Sequence, residues 1–563
     1  MKNSRTAELV LGPCLRYVDG TQAVVWVEAD AACQVEVRAR AERSEVTGRA
    51  RTFHIEGHHY GLVVLDGLEP GTVYPYEVTL DGLRVWPGHG LPPSSIRTLD
   101  PQRPVRLVFG SCRTAAPGEQ PATPELETRR DRDLDALYAF GEQMRDSSPE
   151  DLPTALLLLG DQVYADDVPP ATEAWIRSRR TMKDRRKPPG TQVADFEEYT
   201  RLYRDSWSEP MVRWILSTVP TAMIFDDHDI HDDWNTSGIW LRRMRRKPWW
   251  AQRITGGLMS YWIYQHLGNM DPQELAADEL LARVRAADDA GPILRTFAHR
   301  ADRDPQSARW SYRRDFGRIR LVVIDSRCAR VVDVGERQLL DDAEFAWIEE
   351  SVTGEFDHVL LASSVPYLLT PALHHVEAWN EAVCAGAWGK AASWVGELIR
   401  QGFDLEHWAA FNHSFERLTG LIRAVASGQR GPAPASVIAL SGDVHHAYLA
   451  DVDFPTPVSS GVWQVVCSPM RNPLPRLVAA VYRAAVGRPF ERLTRLLARS
   501  AGVPPPAIGW RLTAGPWFYN QIATLRLEGR QATLRLERAV IADGDARLAP
   551  LMERQLGGPL SRR

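Results

Sequence analysis

An α/β layered domain preceded by a small β-sandwich is the fold this sequence predicts. From residue 105 onward short apolar runs alternate with helical patterns, and before residue 95 the chain reads as valine-rich strands broken by turn residues. A further observation locates the chemistry. Between 226 and 233 five aspartates and two histidines directly follow an apolar run, more negative charge than a structural loop holds without a cation.

The sandwich comes first. Strands are expected over 23–27, 34–40 and 62–65, separated by turn pairs such as Asp19-Gly20 and Asp66-Gly67. A turn at 68–71 leads into alternation through Tyr74, Tyr76 and Val78, ending at the hairpin signal Asp81-Gly82. This resembles the fibronectin type III pattern, in which a tyrosine ties a corner loop to the sandwich. Residues 96–104, with their flanking prolines and serines, read as a linker.

The α/β domain is expected over 105–545, with 546–563 as a tail. Its strands are expected at 105–109, 155–159, 222–225, 320–324, 358–362, 437–440 and 463–466, and its helices at 132–144, 258–267, 274–287 and 339–351. Alternation through Ala523, Leu525 and Leu527, a turn at Glu528-Gly529, and alternation through Ala532, Leu534 and Leu536 predict a terminal hairpin. Residues 428–435 read as a surface loop.

Composition bounds the function. The 563 residues, 44% hydrophobic and 25% charged with a formal net charge of −5, describe an ordinary globular protein without a basic footprint for nucleic acid. Nucleic acid is therefore not an expected partner. Six cysteines, at 14, 33, 112, 328, 384 and 467, show neither C-x-x-C spacing nor a dense framework, which fits a reducing compartment. No leader pattern stands at the N-terminus, and no segment reaches the ~20 apolar residues of a membrane span. A cytoplasmic protein without a membrane partner is expected, exported only if a leader had been removed.

Three segments share one shape, an apolar run followed at once by ligand-type residues: 155–159 before Gly160-Asp161-Gln162-Val163-Tyr164, 222–225 before Asp226-Asp227-His228-Asp229, and 437–440 before Ser441-Gly442-Asp443-Val444-His445-His446. Residues just after several strands of an α/β sheet meet in one crevice although distant in sequence. Hydrolysis of phosphate esters suits two cations about 3.5–4 Å apart, held by a bridging carboxylate. Asp161 is placed to bridge, Asp226, Asp227 and Asp233 to add oxygen ligands, and Asp443 with His445 to close the site. Carboxylates favour Ca²⁺, Mg²⁺ or Mn²⁺, whereas thiolate, phenolate and imidazole favour a transition metal. Cys112, Tyr164 and the carboxylates together suggest one harder and one softer site.

The ordered set Gly110-Ser111-Cys112-Arg113, Gly160 to Tyr164, Phe225 to Asn235 and Ser441 to His446 resembles the PhoD-like alkaline phosphatase family of the calcineurin-like metallophosphoesterase superfamily. The resemblance implies a four-layer α/β/β/α catalytic domain behind a fibronectin type III-like sandwich, and a centre pairing Fe³⁺ with Ca²⁺, with Mn²⁺, Mg²⁺ or Zn²⁺ as other occupants. On that pattern Cys112 and Tyr164 hold iron and Asp161 bridges. Asp227 takes the place of the superfamily's asparagine ligand, and Asp443 and His445 that of its final histidines. Asp226 and Asp233 serve calcium, while His228 contacts phosphate or protonates the leaving oxygen. Arg113 is expected to bind a phosphate oxygen. The mechanism so implied is in-line attack on a mono- or diester by a metal-bound hydroxide.

Blander readings stand beside these. Cys112 alone is a buried thiol and Tyr164 alone a packed aromatic; only their positions promote them. His231 and His446 read as supporting residues, and the basic aromatic run 240–250 as a solvated helix face with tryptophans docked on the core. A thiol-nucleophile loop is disfavoured because Gly118 stands where its arginine belongs, and 384–391 lacks the first glycine and the Ser or Thr of a phosphate loop. Two further functions remain open: a noncatalytic partner- or phosphate-binding protein with a structural metal, and a phosphoanhydride hydrolase using the same core.

Overall fold

The computed structural model describes residues 6–88, 90–115, 134–332 and 337–556. Strands β1 (Leu9–Val18), β2 (Gln22–Ala29), β5 (Phe53–Ile55) and β6 (His58–Asp66) form an antiparallel sheet in the order β1-β2-β6-β5. Strands β3 (Gln34–Arg40), β4 (Glu45–Arg51), β7 (Val73–Leu80) and β8 (Leu83–Trp86) form a second, with β9 (Ser95–Arg97) paired to β7. Alternation sorts the β2 side chains. Ala23, Val25 and Val27 enter the core between the two sheets, while Val24 and Trp26 enter the core of the following domain. The strand is buried on both faces, which explains its unbroken apolar run. The Tyr74 hydroxyl accepts a hydrogen bond from the Glu69 N–H at 2.9 Å.

The sandwich is joined to the α/β domain through side chains buried in both. Arg16 on β1 is fully buried and donates to the carbonyls of Thr221 (3.1 Å), Tyr264 (2.5 Å) and Gln265 (2.7 Å). The Tyr76 hydroxyl donates to the Ser217 carbonyl at 2.6 Å. His58 on β6 stands between Glu28 of the sandwich (3.0 Å) and Glu197 of the helix Phe196–Trp207 (2.9 Å).

Two sheets carry the α/β domain. The six-stranded sheet orders β12 (Thr221–Ile224), β11 (Ala155–Leu159), β10 (Val105–Gly110), β20 (Gln521–Glu528), β21 (Gln531–Ala542) and β22 (Asp545–Gln555). The seven-stranded sheet orders β13 (Tyr312–Phe316), β14 (Ile319–Ile324), β15 (His358–Ser363), β16 (Ser436–Ser441), β18 (Gly461–Val466), β17 (Ala447–Asp453) and β19 (Gly509–Trp517). Strands β10, β11 and β12 run parallel, as do β14, β15, β16 and β18. Alternate side chains of the second sheet part between two cores. Leu321, Leu360 and Ile438 join Leu107, Phe109, Leu157 and Leu525 of the first sheet. Val322, Val359 and Val437 pack with Phe345 and Phe415 from the helices Asp342–Ser351 and Asn412–Ala426.

All seven strands expected in this domain are present, with bounds shifted by at most a residue or two. Three expectations are corrected. The proposed tail begins as β22, whose Leu548, Leu551 and Met552 pack on the main core, and 557–563 lie outside the described residues. Within the proposed linker Ile96 is fully buried on β9 and the Leu99 N–H donates to the Asp19 carbonyl at 3.0 Å, so this stretch is held against the sandwich. The helix expected over 274–287 is two, Pro272–Ala277 and Glu279–Ala286, because the Asp278 side chain caps the second. The helix expected over 132–144 is described as Ala136–Arg145, capped by Asp135; residues 132–133 and Gly118 lie outside the described residues.

Candidate metal centre

The parallel strands β10, β11, β12 and β16 end at one place, and the loops leaving them interlock. The Cys112 and Arg113 N–H groups donate to the carbonyls of Gly160 (3.3 Å) and Asp161 (3.1 Å), and the Asp443 N–H donates to Ser111 Oγ at 3.1 Å. The buried carboxylate oxygen Asp229 Oδ2 accepts from the N–H groups of Asp161 (3.0 Å) and Asp226 (2.8 Å), tying the second loop to the third. Two glycines permit this approach. A Cβ on Gly160, which has φ +99°, would stand 2.6 Å from Asp226 Cβ, and one on Gly442 would stand 2.0 Å from Ser111 Oγ. Backbone strain concentrates here as well. Cys112, Asp161, Asp443 and His445 take φ of 54°, 51°, 65° and 51°, a region non-glycine residues occupy where surrounding structure enforces it for function.

These loops bring donor atoms together in three groups, each within 4.8 Å internally: Cys112, Asp161 and His445; Asp161, Asp227 and His228; and Asp161, Asp226, Asp227 and Asp443. Asp161 belongs to all three. Tyr164 joins them, its hydroxyl donating to Asp161 Oδ2 (3.3 Å) and accepting from Asn472 Nδ2 (3.2 Å) while its ring lies 4.7 Å from that of His228. Within the donor groups the buried oxygens Asp161 Oδ1 and Asp226 Oδ2 have no hydrogen-bond partner. A buried carboxylate oxygen left so is costly, and a cation removes the cost. The donor set fits a metal ion.

The electrostatics agree. Burial pushes the Asp161 carboxyl well up; His228 opposes this, and Asp226, Asp227 and Asp229 add to it. Burial likewise raises the Cys112 thiol and the Tyr164 phenol, with Asp161 adding to both. Burial brings His445 down to about 4, leaving a neutral imidazole suited to coordination. For His228 burial works downward, but Asp227 and Asp166 outweigh it and hold the ring protonated, its Nδ1 being 2.9 Å from Asp166 Oδ1.

Two expected residues stand apart. Arg113 is buried away from the cluster, its guanidinium paired with Asp135 at 2.7 Å and donating to the Ser206 carbonyl at 3.1 Å, so the expected phosphate contact is corrected. Asp233 lies outside the three donor groups. Burial, then Glu406, Asp404 and Asp232, push its carboxyl up to about 9, while its N–H donates to Asp227 Oδ2 at 2.9 Å. It supports Asp227.

Residues with no motif complete the centre. Arg327, fully buried just after β14, pairs with Asp226, with Asp227 at 3.1 Å and with Glu406 at 2.5 Å. His407 bridges Glu377 (2.6 Å) and Asp443 (2.9 Å). One signal was available for the first: Asp325-Ser326-Arg327 follows an apolar strand, the same shape as the three segments that were recognised. Glu406 and His407 come from a helical connection and carry no such signal.

A cleft of about 200 Å³ opens onto Asp227, His228, Asp443 and His445, walled by Leu369, Leu373 and Tyr482 among others. His446 is buried against Tyr448, Tyr482 and Phe518, His231 stacks on Trp249, and Trp240 and Trp250 of the basic run are buried in the core.

Comparison with known proteins gives this arrangement a family. Over its whole length the chain is similar to the solved "Structure of PhoD", with a TM-score of 0.61 at 12% identity, covering 99% of this chain and 92% of that one. That likeness concerns the fold. The type III pullulan hydrolase from Thermococcus kodakarensis reaches a TM-score of only 0.15 at 12% identity over 94% of each chain, and nothing rests on it. No curated protein matches by sequence. Residues 6–97 match a domain of unknown function, DUF7800. Residues 136–484 match the model described as PhoD-like phosphatase, well over half of the chain, and the protein belongs to the PhoD-like phosphatase family.

Proposed function

We propose that the protein hydrolyses small phosphate mono- or diesters with two cations, Fe³⁺ and Ca²⁺, sharing Asp161. The observation that carries this reading is the membership of Asp161 in all three donor groups. Cys112, Tyr164 and His445 offer the softer donors that favour iron; Asp226, Asp227 and Asp443 offer the oxygens that favour calcium. When bound, such cations acidify a water and neutralise phosphoryl oxygens.

The chain's own residues do the rest. Asp166 fixes the His228 ring through Nδ1, which leaves Nε2 to protonate the departing alkoxide. His407 holds Asp443 in place from one side and is itself held by Glu377 from the other. Leu369, Leu373 and Tyr482 supply an apolar wall for the organic part of the ester. Arg327 balances charge among Asp226, Asp227 and Glu406. The same reading treats the catalytic domain as a four-layer α/β/β/α fold and the sandwich as fibronectin type III-like, for which the Tyr74 to Glu69 contact speaks. It places the protein in a reducing, cytoplasmic setting, in keeping with six free cysteines.

The test is hydrolysis of an aryl monoester and an aryl diester by one preparation, before and after chelation and after restoring Fe and Ca. Turnover lost on chelation and regained on restoration is expected, with the ratio of the two esters naming the preferred class. Metal-loaded protein that turns over neither ester refutes the reading.

A further inference from the structure

Fifteen large apolar side chains stand exposed among the described residues, and eleven of them lie between 388 and 496. Six of the eleven lie on two helices that pack against one neighbour, Pro371–Cys384: the helix Lys390–Gly402 and the helix Arg488–Ser500. Trp388 Nε1 donates to the Ser500 carbonyl at 3.1 Å, tying the two sides together. In Arg488–Ser500 burial is inverted. The small residues Thr494 and Ala498 face inward, while Leu493 and Leu496 are each 62% exposed. A water-facing helix places its leucines the other way. Leu477 (77%), Phe403 (73%) and Trp394 (66%) are more exposed still.

Charge singles out the same region. Between 476 and 500 the chain carries six arginines against one carboxylate, Glu491, although its formal net charge is −5. Arg488, Arg492, Arg495 and Arg499 recur at helical spacing and form one row beside the leucines.

We infer that this face docks on an anionic lipid surface. Leucine, phenylalanine and tryptophan enter the headgroup boundary while the arginine row meets lipid phosphates, the arrangement of a helix lying in the membrane plane. The alternatives fit less of the surface. A second copy of the chain would bring like-charged rows together, and nucleic acid would use the arginines but leave the leucines in water. No described helix is long and apolar enough to cross a membrane, so the attachment is to the surface. Phe403 also lines the metal-centre cleft, as does Tyr482 between the two segments, so docking brings the mouth of the cleft to the lipid.

Flotation of the full chain with vesicles of phosphatidylcholine, alone or mixed with phosphatidylglycerol, tests this independently of catalysis. Binding is expected only to the anionic vesicles and is weakened by salt. Arg492→Ala with Arg499→Ala should weaken it about 25-fold, at about fivefold per arginine, and Leu493→Glu with Leu496→Glu should abolish it while circular dichroism stays unchanged. No flotation with anionic vesicles, or flotation undiminished in both double variants, overturns the inference. So does a wild-type dimer that binds no lipid and that Leu493→Glu with Leu496→Glu dissociates. Flotation by a protein that hydrolyses no ester supports the docking face and counts only against the catalytic reading.

Discussion

Replacing Asp161 with asparagine should reverse the order of stability between stripped and metal-loaded protein. In the stripped protein the carboxylate is a burden. Burial raises its pKa, as do Asp226, Asp227 and Asp229, against the opposing pull of His228. A carboxyl whose folded pKa exceeds its unfolded value destabilises the fold at pH above the folded value, and the penalty is absent below the unfolded pKa. At neutral pH the stripped Asp161→Asn protein should therefore melt above stripped wild type, and the advantage should shrink as pH falls toward 4.

Metal reverses the comparison. Cations at about one hundred times their Kd stabilise a protein by about 2.7 kcal/mol. Asp161 contributes to all three donor groups, so the substitution removes a charge from each. Loss of a supporting partner costs about 10–100-fold in metal affinity, and a shared ligand belongs at the upper end at least. A 100-fold loss leaves about 0.4 kcal/mol of metal-induced stabilisation at the same concentration. Thermal unfolding of both proteins, after chelation and after reloading, reads all four states. A stripped variant that melts below stripped wild type, or a variant that keeps the full metal-induced shift, refutes the assignment of Asp161 as the shared ligand.

Three further outcomes follow from the same contacts. His228→Asn should lower turnover of alkyl esters by about 10²–10⁴ and of nitrophenyl esters much less, since only the poor leaving group needs a proton; equal losses on both would remove His228 as the acid. Arg327→Met should cost about 3–5 kcal/mol in stripped protein, because it leaves Asp226 and Asp227 buried without their cation and Glu406 with Arg330 alone, and bound metal should restore part of it; a change in melting too small to resolve would argue against the network. For His58, burial works downward but the bonds to Glu197 and Glu28 prevail and raise it to about 9. This raised histidine stabilises the fold fully below pH 6.5 and loses its contribution as pH passes 9, so the gap between wild type and His58→Gln should be about 2 kcal/mol at pH 6, discounted for exposure of Glu197, and close by pH 10. A gap constant across that range would contradict it.

The centre was legible where ligand and strand sit side by side in sequence. Asp161, Asp227, Asp443 and His445 each follow an apolar run within a few residues, and parallel strands carry such positions to one end of a sheet. Arg113 misled for a physical reason: it occupies the same kind of position, but Asp135, the cap of the next helix, captures its guanidinium. Arg327, Glu406 and His407 meet the centre only through packing of distant loops, and spacing along the chain does not encode that. The edge strand β22 was missed because its half-buried alternation is irregular and interrupted by Pro550.

Arg16 changes what the boundary between the two β-rich and α/β regions means. Topology draws a border there, and a chain cut near residue 105 would begin at a plausible place. The shortened protein would nevertheless be left with three buried carbonyls, those of Thr221, Tyr264 and Gln265, stripped of their donor, and with the apolar socket of Trp26 open to water. The sandwich is in this respect a layer of the protein's own interior rather than an appendage, and the two halves should melt as one.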